Sequence, residues 1–310
     1  MKNYSAYQTT ICSEIRFSGI GLHSGKEIQV RVHPAPADFG VRFKRGDVLN
    51  SESVKISPFS VLSTQLATSI KCGELPISTI EHISAAFYGM GVDNVLVEVF
   101  GAEVPILDGS ALPFVNMINE VGIKTLTRKR KYLKINRKIV IEKDGKLIEM
   151  LPSRFMKITT HIDFDNPFIG YQKAFVNITP ETFARELAPA RTFGFKKDVE
   201  QLWSLGLAKG GSLDNAVVID NDKVLNPGGL RMPDELVKHK ALDLLGDLSL
   251  IGYRFFGHVR AYKSGHLINN IFARSLLVST DLYSIIELEE EPKAIGSDIP
   301  AAIQGSFATA

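Results

Sequence analysis

Seven histidines are spread along the 310-residue chain, and their neighbours sort them. His33 and His161 fall within alternating apolar patterns of the kind that marks strands, and His258 follows Gly257 at a strand start, so these three read as structural. His23, His82, His239 and His266 remain. His239 and Asp243 are four residues apart in a helical pattern, which puts both side chains on one face, one turn apart, within reach of a single ion. Glu235 and Asp247 extend that stripe, and the competing reading is a solvated face with Lys238 and Lys240 as charge partners. Glu81 and His82 open another helical segment, where Ser78 and Glu81 also fit a capping box. That box leaves His82 unexplained, as either a core histidine or a ligand. Taken together, His82, His239 and Asp243 offer two imidazoles and one carboxylate, the number of protein ligands a catalytic zinc keeps when water fills its fourth position. Glu81, next to one of them, would then be a non-ligating base. The same donors also match the facial triad of iron(II) oxygenases, a reading that leaves Glu81 without a task. A binding protein with a structural zinc would need a fourth protein ligand. His266, in Lys263-Ser-Gly-His, stands near a helix N-terminus, where the positive dipole end disfavours the imidazolium.

These residues need a scaffold, and the pattern predicts one of α+β type. Alternation predicts strands over residues 9–17, 27–33, 41–44 and 94–100, with a helix from Ile80 that ends at Gly89 and Gly91 and a second helix from about Ser110. Arg128, Lys129, Arg130 and Lys131 read as a basic connector and domain boundary, dividing residues 1–126 from 132–286. In the second half, two apolar runs flank Lys143-Asp144-Gly145-Lys146, a hairpin turn, and strands follow over 157–164, 174–178, 215–220 and 256–262. Helices are expected over 199–206, from Pro233 to about Leu250, and from about Ser264. Residues 287–310 turn acidic, then small and polar, as a flexible tail does. Strands and helices cluster instead of alternating, which favours α+β layers over a doubly wound sheet.

Composition narrows the function further. With 45% apolar residues the chain can bury a sizeable core, and a net charge of +2 from 36 basic and 34 acidic residues provides no broad field for nucleic acid. The first ten residues lack a signal-peptide core, and no run approaches the roughly 20 apolar residues of a membrane span. Two cysteines, Cys12 and Cys72, cannot form a disulfide framework and fit a reducing, cytoplasmic setting.

Six motifs in order, Thr79-Ile-Glu-His82, Pro105-Ile-Leu-Asp-Gly-Ser110, Ala190-Arg-Thr-Phe-Gly-Phe195, Gly210-Gly-Ser212, His239-Lys-Ala-Leu-Asp243 and Lys263-Ser-Gly-His266, resemble those of the UDP-3-O-acyl-N-acetylglucosamine deacetylases. The resemblance runs from about Thr9 to about Leu277. It implies two similar domains, each a β-sheet layered with helices, with the active site in the cleft between them. It implies zinc on His82, His239 and Asp243, iron(II) being possible in the same site, with Glu81 as general base, His266 as general acid and Asp247 orienting it. Thr192 and Lys240 would line the oxyanion and substrate side, and Phe164 would meet uracil. Residues 193–213, with Phe193 and Gly211, would form an acyl-chain passage, though by pattern alone this stretch is a core-packing helix with a glycine turn. His23 matches a position near the site without an assigned role. The implied partner is the acylated UDP-sugar, with no nucleic acid; acyl-chain length and oligomeric state are not legible.

Overall fold

The computed structural model describes residues 4–289, so the expected tail lies outside the described residues from 290 onward. Of its first residues, Glu287 closes a strand and Leu288 is buried.

The first half contains strands β1 (Tyr7–Ile11), β2 (Ile15–Ile20), β3 (Glu27–Pro34), β4 (Val41–Arg45), β5 (Val54–Lys55), β6 (Val61–Ser63), β7 (Ser69–Cys72), β8 (Leu75–Ile77), β9 (Val95–Phe100) and β10 (Ile123–Lys129). Helices α1 (Glu81–Met90) and α2 (Leu112–Val121) flank β9. The second half contains β11 (Lys131–Ile135), β12 (Ile139–Lys143), β13 (Lys146–Leu151), β14 (Met156–Asp163), β15 (Tyr171–Asn177), β16 (Phe193–Phe195), β17 (Val217–Asp220), β18 (Lys223–Val224), β19 (Arg254–Tyr262) and β20 (Tyr283–Glu287). Its helices are the single turn α3 (Pro180–Thr182), α4 (Val199–Ser204), α5 (Glu235–Ser249) and α6 (His266–Val278).

Pairing gives both halves one plan. In the first, β2-β3-β9-β4-β5 is antiparallel throughout except for the parallel β9 and β4 pair. In the second, β12-β13-β19-β14-β15 repeats that order and sense, with β19 parallel to β14. The helices follow suit: α1 and α2 stand to β9 as α5 and α6 stand to β19. The α+β expectation holds, and the repetition lies in topology where the sequence displays no repeat. A single apolar cluster, from Val30, Ile83 and Phe87 to Leu245, Leu248 and Phe272, runs through both halves.

The basic residues 128–131 span the junction of β10 and β11. Arg128 and Lys129 end β10, which pairs antiparallel with β1, Lys131 opens β11, and between them the side chain of Arg130 is buried on Asp93. The predicted strand over residues 9–17 is two strands, interrupted at 12–14 and paired in different sheets. Among the described residues no helix is long and apolar enough to cross a membrane.

Candidate active site

Helices α1 and α5, equivalent in the two halves, lie against each other, and glycine sets how closely. A Cβ at Gly246 would overlap the Glu81 carbonyl, standing 2.8 Å from its carbon and 3.1 Å from Glu81 Cα. This near contact brings the first turn of α1 against the last turn of α5. Entry to α1 is strained: Thr79, a β-branched residue, has φ of 58°, a conformation costing about 1–3 kcal/mol that persists only when its surroundings enforce it. Its hydroxyl donates to Glu103 Oε1 at 3.2 Å, and Ile80 N donates to the Thr68 carbonyl. Lys263, three residues before His266, is similarly left-handed at 51°.

The expected capping box does not form. Ile80 occupies the N-cap position without a side-chain bond, and Glu81 Oε2 instead accepts from Thr68 N at 3.0 Å. Glu81 is thereby held buried and turned toward the site.

His82, His239 and Asp243 each place one donor atom within 4.8 Å of the others. Asp243 Oδ1 lies 3.5 Å from His82 Nε2 and 3.2 Å from His239 Nε2, and the two rings stand nearly perpendicular. His239 Nδ1 donates to the Ala190 carbonyl at 3.0 Å, which fixes the tautomer whose free Nε2 lone pair faces Asp243. Burial drives the His239 pKa down to about 3, so this imidazole is neutral as a ligand must be. Burial opposes ionisation of Asp243, but His239 and the Lys240 ammonium hold its carboxyl well below the ordinary value. Lys240 Nζ donates to Asp243 Oδ2 at 2.7 Å. Two imidazoles and a carboxylate kept charged in a buried place make a donor set suited to a divalent cation.

Beside it an imidazole and a carboxylate face each other. His266, the first residue of α6, is hydrogen-bonded through Nδ1 to Asp247 Oδ2 at 2.8 Å, with Nε2 4.0 Å from Glu81 Oε1. Thr68 Oγ1 and Asn269 Nδ2 donate to the two oxygens of Asp247 at 2.5 and 2.8 Å. Burial disfavours the imidazolium, yet Asp247, Glu81 and Asp243 outweigh it and push His266 up to about 9. The helix-terminus effect expected from sequence is overridden by these carboxylates. Burial raises Glu81, partly countered by His266 and His82.

The other candidates fall into place unevenly. Glu235, on the same stripe of α5, is turned away and fully buried on Arg191, while Lys238 pairs with Asp234. Only the latter fits the solvated-face reading. Phe193 lies 6.4 Å from the His239 ring, with Lys240 Nζ 5.6 Å from its centre, and Phe164 packs on Phe193 and Phe195. Thr192 is held through its backbone by Gly109 and Val217. His33 pairs with Glu14 and Glu98, His161 with Tyr171, and His258 with Thr159, all structural as expected.

In residues 193–213, α4 buries none of its side chains, and Trp203, Leu205 and Leu213 are exposed, so it is not a core-packing helix. The stretch docks on the loop around His23: Ala208 N donates to His23 Nδ1, Lys209 N to His23 O and Gly210 N to Leu22 O. Glycine is needed at Gly210, where a Cβ would overlap the Gly21 carbonyl, whereas Gly211 is exposed. Glu103 pins the same loop by accepting from His23 N and Ser24 N at 2.8 and 2.9 Å. Sequence reasoning missed Glu103 and Thr68, which lie in short strand-to-turn segments without periodicity; Asn269, three residues after His266 on one helical face, was within its reach.

Residues 8–278 match the family model described as LpxC: UDP-3-O-acyl N-acetylglycosamine deacetylase. Proteins named UDP-3-O-acyl-N-acetylglucosamine deacetylase are similar throughout. The one from Syntrophotalea carbinolica is 45% identical over 92% of both chains. That from Nitratidesulfovibrio vulgaris is 44% identical over 98% of this chain and 99% of its own, and that from Chromohalobacter salexigens 42% over 92% and 94%.

Proposed function

The chain belongs to the UDP-3-O-acyl N-acetylglycosamine deacetylase family, and from that membership we propose that it hydrolyses the N-acetyl group of UDP-3-O-acyl-N-acetylglucosamine, giving acetate and UDP-3-O-acyl-glucosamine for lipid A synthesis. The family implies a catalytic metal, and our reading is zinc on His82, His239 and Asp243, with iron(II) suited to the same donors. The observation that carries the residue assignment is the pairing of Glu81 with His266 at 4.0 Å, the latter backed by Asp247, beside that donor cluster.

Zinc, when bound, supplies Lewis-acid polarisation and brings the pKa of water to about 7. Glu81, one oxygen fixed by Thr68 N and the other facing the site, takes the proton from the attacking water as its oxygen bonds to the acetyl carbon. The carbon–nitrogen bond then breaks, and the nitrogen, an impossibly poor leaving group as an anion, receives the proton held on His266 Nε2. Asp247 keeps that proton in place by holding Nδ1. Thr192 and Lys240 are assigned to the oxyanion and substrate side; the Thr192 hydroxyl has no hydrogen-bond partner among the described residues and is free to donate. Phe164 is assigned to uracil. Residues 193–213, including Phe193 and Gly211, are assigned to the acyl chain, a role supported by the exposed Trp203, Leu205 and Leu213. We take residues 1–126 and 132–286 as the two domains, with the site between them, and place the protein in the cytoplasm, where its free Cys12 and Cys72 stay reduced.

Acetate release from the acylated UDP-sugar, with and without chelator, tests the proposal. Chelator-sensitive release that zinc restores is the expected result; a purified, metal-loaded protein that releases no acetate refutes it.

A further inference from the structure

The far ends of α1 and α5 border a second feature that the reaction does not use. A cleft of about 530 Å³ shares Lys55, Asp93, Tyr253 and Arg254 with a smaller hollow of about 70 Å³, into which Ser84 of α1 also faces. Two guanidinium groups meet there. Arg130 Nε and Nη2 donate to Asp93 Oδ2 at 2.9 and 2.7 Å, and Arg254 Nε stands 3.6 Å from Asp93 Oδ1. Asp93 is the only carboxylate within ion-pair distance of either arginine among the described residues. Both arginines are more than nine-tenths buried, which leaves one positive charge without a counter-charge in a place where unpaired charge is costly.

Two buried donors in the hollow are also unsatisfied. Among the described residues Arg254 Nε has no hydrogen-bond acceptor, its Nη2 being taken by the Tyr88 carbonyl, and Ser84 Oγ, on a residue 2% exposed, has no partner. Lys55, exposed and making no ion pair among the described residues, stands where hollow and cleft meet. A buried excess cation, two idle donors and a free lysine share one complement: an anion that accepts several hydrogen bonds.

We propose that this cleft is a binding site for a small oxyanion-bearing ligand, a carboxylate or a phosphate, whose anionic head sits in the hollow against Arg254 Nε and Ser84 Oγ with Lys55 over it. The cleft beyond has the volume of a small-molecule site and holds the rest of the ligand.

Thermal unfolding of the full-length, metal-loaded protein in chloride-free buffer tests this, with sodium sulfate as the tetrahedral probe and sodium acetate as the carboxylate probe. A saturating probe should raise the wild-type Tm by about 2–4 °C. Lys55→Glu, a surface change that leaves the buried arginines in place, should abolish the rise; Ser84→Ala should reduce it; and Lys223→Glu, outside the cleft, should preserve it. A rise with sulfate alone assigns a phosphate-type ligand, and a rise with acetate a carboxylate. No rise with either probe, or a rise that Lys55→Glu retains, overturns the proposal.

Discussion

Replacing Gly246 by alanine should disable the site without touching a functional side chain. The added Cβ would lie within 3.1 Å of three backbone atoms of Glu81, none of which can rotate away. Restoring ordinary carbon contacts needs roughly 1 Å of separation between α1 and α5. Such overpacking costs about 1–3 kcal/mol and should lower Tm by a few degrees. The larger effect is geometric. His82 and Glu81 ride on α1, whereas His239, Asp243 and Asp247 ride on α5. Separation therefore stretches the 3.5 Å approach of His82 to Asp243 and moves Glu81 away from its partners. Metal sites tolerate about 0.2 Å in ligand distance, and a 1 Å misplacement of catalytic groups costs about 10²-fold. The folded variant should bind metal at least about 10-fold more weakly, and with metal restored should still turn over about 10²-fold more slowly. Metal titration by calorimetry and acetate release measure the two effects. Gly228→Ala, whose Cβ meets nothing within 4 Å, is the control. A Gly246→Ala protein with wild-type metal affinity and turnover would show that the helix contact does not set the site.

Three further outcomes follow from the same geometry. Glu81→Gln should retain metal yet lose about 10²–10⁴-fold in turnover, whereas Asp243→Ala should lose metal too; metal content by emission spectroscopy with acetate assays separates them. His266 is raised to about 9, above its ordinary value near 6.5, so its protonated form contributes stability that is complete below about 6.5 and lost as pH rises through about 9 in the metal-free protein. In the proposed mechanism the same proton serves the leaving amine, so the basic limb of kcat/KM should fall at or below about pH 9, because a bound cation lowers it. A His266→Gln enzyme with unchanged rate and basic limb would exclude this residue as the acid. Gly211→Tyr should cripple turnover of the acylated substrate while barely changing the poor turnover of UDP-N-acetylglucosamine; equal losses in a folded, metal-replete variant would place the acyl chain elsewhere.

What could be read from the sequence follows from how local each cause is. The long helices α1, α5 and α6 announce themselves by apolar spacing, and most of the longer strands by alternation. Strands β5 to β8 have two to four residues each, too few to display a period. The pairing of β10 with β1 is a contact across more than a hundred residues, which no local pattern carries. The matching strand order of the two halves is likewise a property of pairing, which residue patterns do not carry.

The site divides along the same line. His239 and Asp243 share a helical face, so their convergence is a local fact, whereas ligand count and the motif resemblance joined them to His82 without any local contact. The structure supplies the link at Gly246, whose meaning depends on a carbonyl 165 positions earlier in the chain. Asp247 and Glu235 carry the same functional group on one helix, yet Asp247 holds His266 while Glu235 neutralises Arg191. Nothing within α5 distinguishes those fates; the partner that each meets does. His266 makes the point in energetic terms, since its own helix would lower its pKa and carboxylates from α1 and α5 raise it. Under the proposed assignment, a residue's role as acid, base or ligand is decided where equivalent helices of the two halves meet, and perturbations of that meeting should change chemistry before they unfold the chain.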